Sequence, residues 1–95
     1  MARIAIAKKH HLSHKKAREA AQMIADDLAE RFDLVCRWDG DRIAFRRAGV
    51  SGELHVGKNE VRLDAELGLL LSMLKPTIED VVHRDFDKYF GKAKA

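Results

Sequence analysis

This 95-residue sequence holds one cysteine, one proline and few aromatic residues. A single thiol, Cys36, excludes an intramolecular disulfide and fits a reducing compartment. No apolar run reaches the roughly 18 residues of a membrane-spanning helix. Ile4-Ala5-Ile6-Ala7 is too short, before Lys8-Lys9, to form the core of a secretory signal. The expected location is therefore the cytoplasm. Phosphate-binding loops, dinucleotide fingerprints, serine-nucleophile motifs and zinc-finger spacings are all missing. There is no internal repeat, linker or low-complexity tract, so residues 1–95 read as a single domain.

An apolar fraction of 46% beside 35% charged residues is that of a chain able to bury a core. The net charge of +3 is local in origin. Residues 1–18 hold Arg3, Lys8, Lys9, Lys15, Lys16 and Arg18 with no acid, and the other end adds Lys92 and Lys94. A basic end can meet nucleic acid, anionic lipid or an acidic partner, and it can also be only a solvated end.

The stretch Leu34–Leu67 alternates apolar and polar residues, which places one set on each face of a sheet. Leu34, Cys36 and Trp38 fall in one phase. Ile43 and Phe45, then Leu54 and Val56, then Val61, Leu63, Ala65 and Leu67 continue it. Glycine-containing breaks at Gly40-Asp41, Ala48–Val50 and Gly57–Asn59 divide the stretch into four antiparallel strands. A Gly40-Asp41 turn sets Cys36 opposite Phe45 and Arg37 opposite Ala44. The competing Asp39-Gly40 turn would oppose Arg37 and Arg42, two like charges. Around Ala48–Ser51 a four-residue loop is expected, with Phe45 opposite Leu54 and Arg46 opposite Glu53. A tip at Lys58-Asn59 pairs Val56 with Val61 and Leu54 with Leu63.

Residues 2–8 read as a first strand with Ile4 and Ile6 on one face. Ser13 is placed to cap a long helix, in which Ala17, Ala20, Ala21, Ile24, Leu28 and Phe32 recur at helical spacing. Asp33 ends it. Trp38, in phase with Leu34 and Cys36, is expected to pack against this helix near Ile24 or Leu28. Pro76 suits the start of a second helix, with Ile78, Val81, Val82, Phe86, Tyr89 and Phe90 as its apolar stripe. Lys88 and Lys92 lie towards its negative end, and Gly91 is a natural stop. The fold class is thus α+β in the order β-α-β-β-β-β-α. It comprises a curved, mainly antiparallel sheet with a long N-terminal helix and a C-terminal helix packed on one face.

Candidate chemistry is sparse. His10, His11 and His14 form the only cluster with ligand potential. No acid or cysteine lies near them and lysines flank them, so they read as an exposed polar loop and no metal site is expected. Glu53 and His55 share the wet face of a strand and can pair there, but an open sheet face lacks the pocket that catalysis needs. Cys36 points inward, as a core thiol does. The basic patch Lys8, Lys9, Lys15, Lys16 and Arg18 lacks the exposed aromatics that stack on bases. Leu69-Leu70-Leu71-Ser72-Met73-Leu74, between Gly68 and Pro76, holds more apolar surface than a connector needs. It can be a short helical turn or a continued strand, and core or interface.

The motifs Trp38-Asp39-Gly40-Asp41, Arg46-Arg47-Ala48-Gly49-Val50-Ser51-Gly52, Val61-Arg62-Leu63-Asp64 and Glu66-Leu67-Gly68-Leu69-Leu70 resemble the polyhydroxyalkanoic acid system proteins, also called the granule-region family. The N-terminal strand, Ser13 and the alanine-rich helix are similar too, so the resemblance covers nearly the whole chain. It implies a bacterial cytoplasmic protein linked to polyhydroxyalkanoate metabolism with no molecular activity specified, in a setting where some systems include proteins at granule surfaces. The family assigns no catalytic residue, and none is carried over.

The leading reading is a non-enzymatic accessory protein without a cofactor, cytoplasmic and granule-associated. Its expected partners are granule proteins, the polyester surface or a second copy of the chain. Its candidate surface is Leu69, Leu70, Leu71, Met73 and Leu74. A small apolar-ligand binder, with a cavity lined by Trp38, Phe45, Leu54 and Leu63, is the alternative. A nucleic-acid-binding regulator ranks below both.

Overall fold

The computed structural model describes Ala2 to Gly91, and the expectations placed on Lys92 and Lys94 lie outside the described residues. Strand β1 (Ala2–Lys9) leads into helix α1 (His14–Phe32). Strands β2 (Val35–Asp39), β3 (Arg42–Arg47), β4 (Val50–Val56) and β5 (Glu60–Leu67) follow. A 3₁₀ helix (Leu69–Leu74) then runs directly into helix α2 (Lys75–Phe90). The long helix therefore follows the first strand rather than opening the chain. The architecture is α+β: one five-stranded antiparallel sheet, in the order β1-β5-β4-β3-β2, and two helices.

Local chemistry sets the boundaries. The Ser13 hydroxyl accepts from the Lys16 N–H at 3.2 Å and starts α1. Asp33 ends it in the left-handed region at φ 59°, and the Leu34 N–H reaches back to the Ala29 carbonyl at 3.1 Å. Pro76 stands in the first turn of α2, and Gly91 stops that helix at φ 77°.

Both helices cover the face that alternation assigns to the core. Ile4, Ile24, Ile43, Leu54, Leu63, Val82 and Phe86 are among its fully buried side chains. The other face carries Arg3, Arg42, Glu53, His55, Arg62 and Asp64 towards solvent. Strands β2 and β3 pair as expected, with Cys36 opposite Phe45 and Arg37 opposite Ala44. Gly40 takes φ +65° and Asp41 stays out of the positive region, the pattern of a turn with glycine at its first central position. Val56 opposes Val61 and Leu54 opposes Leu63, also as expected.

The β3–β4 connection differs from expectation. Its loop is two residues, Ala48-Gly49, with Gly49 at φ +85°, and it sets Phe45 opposite Gly52, Arg46 opposite Ser51 and Ile43 opposite Leu54. The difference from the expected register is two residues, so every side chain keeps its face and alternation cannot distinguish the two. The observed two-residue turn closes on Gly49 in the left-handed region. Gly52 acts on the other side of β4: a Cβ there would stand 2.6 Å from the Asp64 carbonyl and 2.8 Å from the Ala65 Cβ, so only glycine lets β4 and β5 approach at this point.

Trp38 also departs from expectation. It faces α1 but meets Gln22 and Arg18, towards the start of the helix, and it is half-buried. Cys36 sits between, with its Sγ 3.7 Å from the Ala25 carbonyl, and burial pushes its thiol pKa up.

Candidate functional site

The run Leu69–Leu74 is a 3₁₀ helix anchored on the β3–β4 turn. The Gly68 N–H donates to the Gly49 carbonyl at 2.7 Å, and the Leu71 N–H to the Gly68 carbonyl at 3.1 Å. The Ser72 hydroxyl donates to the Leu69 carbonyl at 2.9 Å. Three residues per turn put positions three apart on one side. Leu70 and Met73 therefore share the outer side, and Leu71 and Leu74 the inner one. The exposures follow: Leu69 76%, Leu70 88% and Met73 79%. Leu71 and Leu74 are half-buried, and Leu71 lies against Gly49. Of the five side chains singled out from the sequence, three form an exposed apolar group and two close the core.

Beneath this helix lies an apolar cavity of about 40 Å³, lined by Leu28, Phe45, Leu71, Leu74, Ile78 and Val82 among others. Ligand sites commonly measure about 300–1,000 Å³. The cavity expected from the sequence differs in place and size. Phe45 and Leu63 do line the small cavity, but Leu54 is packed solid and Trp38 lies elsewhere.

The basic patch is only partly free. Lys8 pairs with Asp87 of α2 at 3.1 Å. Arg18 pairs with Asp41 at 2.8 Å and lies over the Trp38 ring at 4.1 Å. Lys9, Lys15 and Lys16 are exposed and make no ion pair among the described residues.

The histidines part company. His10 is 2% exposed, which corrects the expectation of an exposed loop. Its Nδ1 accepts from the Leu12 N–H at 3.2 Å, so Nε2 carries the hydrogen and donates to the Gly57 carbonyl at 3.0 Å. Its backbone N–H bonds the Asn59 carbonyl at 2.9 Å, and its ring packs 5.3 Å from that of Phe90. His10 thus ties the end of β1 to the β4–β5 turn. His14 faces Asp41 at 3.0 Å instead. No group of three or more metal-ligating side chains occurs among the described residues. His55 and Glu53 do pair, at 2.8 Å, on the open sheet face, where Arg42 also reaches Glu53 at 3.3 Å.

One pair escaped the sequence reading. Asp85 of α2 is 5% exposed and faces Asp27 of α1, whose carboxylate is held by Arg31 Nε at 2.9 and 3.0 Å. Burial, with the hydrogen bond to Asp27 next, pushes the Asp85 pKa up to about 7. The same hydrogen bond, with Arg31 behind it, holds Asp27 below the usual carboxylate range. The signal was present, since Asp85 falls inside the stripe Val81, Val82 and Phe86.

A family model described as "Putative polyhydroxyalkanoic acid system protein" matches residues 4–90, from the buried part of β1 to the last residue of α2. The chain belongs to this family. The match takes in the sheet from Ile4 onward, both helices and the 3₁₀ helix, so Leu69, Leu70 and Met73 lie within the matched span. No curated protein and no solved structure matches the chain. No helix among the described residues is long and apolar enough to cross a membrane.

Proposed function

We propose that this protein is a non-enzymatic accessory protein of polyhydroxyalkanoate storage, cytoplasmic and associated with the granule, and that it docks there through Leu69, Leu70 and Met73. The observation that carries the reading is the exposure of three large apolar side chains on one six-residue segment. Segments that only connect elements have no reason to hold such side chains in water. Burying one leucine fully contributes roughly 1.5–3 kcal/mol, so two or three suffice for a useful contact. Family membership supplies the setting.

The alternatives have less behind them. The cavity of about 40 Å³ is far below what a ligand of several carbons needs. The basic patch commits Lys8 and Arg18 to internal partners.

The test is the location of a fluorescently tagged chain in cells grown with and without polyester granules. The reading expects fluorescence on granule surfaces in the first and diffuse signal in the second. Diffuse signal in both overturns it.

A further inference from the structure

Where α1 packs against α2, the buried carboxyl group of Asp85 meets the partly buried carboxylate of Asp27. Asp85 projects from the stripe that α2 buries, and its Oδ2 has no hydrogen-bond partner among the protein atoms. Facing it from α1 are Asp27 and, behind Asp27, Arg31, while Lys88 approaches along α2 itself. On the β1 side the nearest pairing, Lys8 with Asp87, involves a different carboxylate of α2. Arg31 engages both Asp27 oxygens from solvent, so the negative charge belongs on Asp27 and the proton on Asp85.

We propose that Asp27 and Asp85 share one proton across the α1–α2 seam, and that loss of this proton loosens α2 together with the 3₁₀ helix joined to it. Two adjacent carboxylates cannot both ionise cheaply away from water. With the proton present, Asp85 donates to Asp27 and the seam is closed by a charge-assisted hydrogen bond. Without it, the same two groups repel, and Arg31 is already committed to Asp27. Burial places this change near neutral pH. No loop separates Leu74 from Lys75, so displacement of α2 is felt by Leu71 and Leu74 over the cavity. The device is independent of what the outer leucines bind.

The experiment is a carbon-13 NMR titration of the aspartate carboxyl groups, with amide hydrogen exchange at pH 6 and pH 8.5 corrected for intrinsic rates. The expected result is a titration of Asp85 near pH 7 and of Asp27 below the usual range. Protection of α2 amides should then fall about tenfold or more relative to β4 and β5 between the two pH values. Asp85→Asn, which still donates to Asp27 but cannot ionise, should hold α2 protection constant. Asp27→Asn, whose amide can donate to an ionised Asp85, should do the same. Titration of Asp85 below pH 5 in the native chain overturns the proposal. So does a pH response of α2 that either folded variant leaves intact. The native titration decides the matter even if both variants fail to fold.

Discussion

The Trp38 indole N–H donates to the Gln22 side-chain oxygen at 2.6 Å, joining β2 to α1 across the edge of the molecule. The height of this contact follows from two rises. Past Asp33 the chain reverses and β2 runs back along α1 at about 3.3 Å per residue. The helix rises only about 1.5 Å per residue. Five strand residues therefore pass about eleven helical ones, which sets Trp38 beside Gln22 rather than Ile24 or Leu28. The same ratio puts Cys36 near Asp26, and its Sγ meets the carbonyl of the neighbouring Ala25.

Leu28 instead lies deeper, 2% exposed and against the small cavity. Leu28→Ala enlarges that cavity and should cost roughly 2–5 kcal/mol in a denaturant melt. A loss under about 0.5 kcal/mol would show that α1 does not cover this part of the sheet.

Gly52→Ala should destabilise by about 1–3 kcal/mol, because the new methyl meets the β5 backbone rather than a side chain that could turn away. An unchanged unfolding midpoint would place β4 and β5 in another register.

Stability should fall as pH rises from about 4 to about 7. The folded Asp85 holds its proton up to about pH 7 while the unfolded one releases it near 3.8, so the unfolded state binds fewer protons across this window. Asp27, with its pKa lowered, acts oppositely and only at more acid pH. In thermal melts Asp85→Asn should flatten the fall between pH 5 and pH 8. A native melting curve that rises across this window, with the variant following it, contradicts the assignment.

Zinc should not stabilise the fold. His10 spends both ring nitrogens on Leu12 and Gly57, and His14 is turned to Asp41. Melting temperatures with added zinc and with chelator should agree. A large zinc-dependent rise, abolished by His11→Ala, would reveal a site at the end of β1.

Much of the fold was legible because alternation with a period of two survives any register that preserves faces. The β2–β3 register was legible as well, since the wrong turn opposes Arg37 and Arg42. The β3–β4 register was not, because the two candidates differ by two residues and both keep every side chain on its face. Of the candidate surface, composition marked the segment, but which leucines face out depends on the 3₁₀ period and the anchor at Gly49. His10 resembled its exposed neighbours because its partners, Gly57 and Asn59, lie nearly fifty residues away. Asp85 stood inside an apolar stripe, but its meaning depends on Asp27 from the other helix.

Leu70 and Leu71 are adjacent, yet the first is 88% exposed and the second lies against Gly49. The most direct test of the docking reading is co-sedimentation of purified protein with isolated polyester granules, comparing native chain, Leu70→Ser and Leu71→Ser beside their melting curves. The account predicts that Leu70→Ser loses most of its granule-bound fraction with its melting temperature unchanged, whereas Leu71→Ser melts lower. Undiminished sedimentation of a folded Leu70→Ser variant would contradict it.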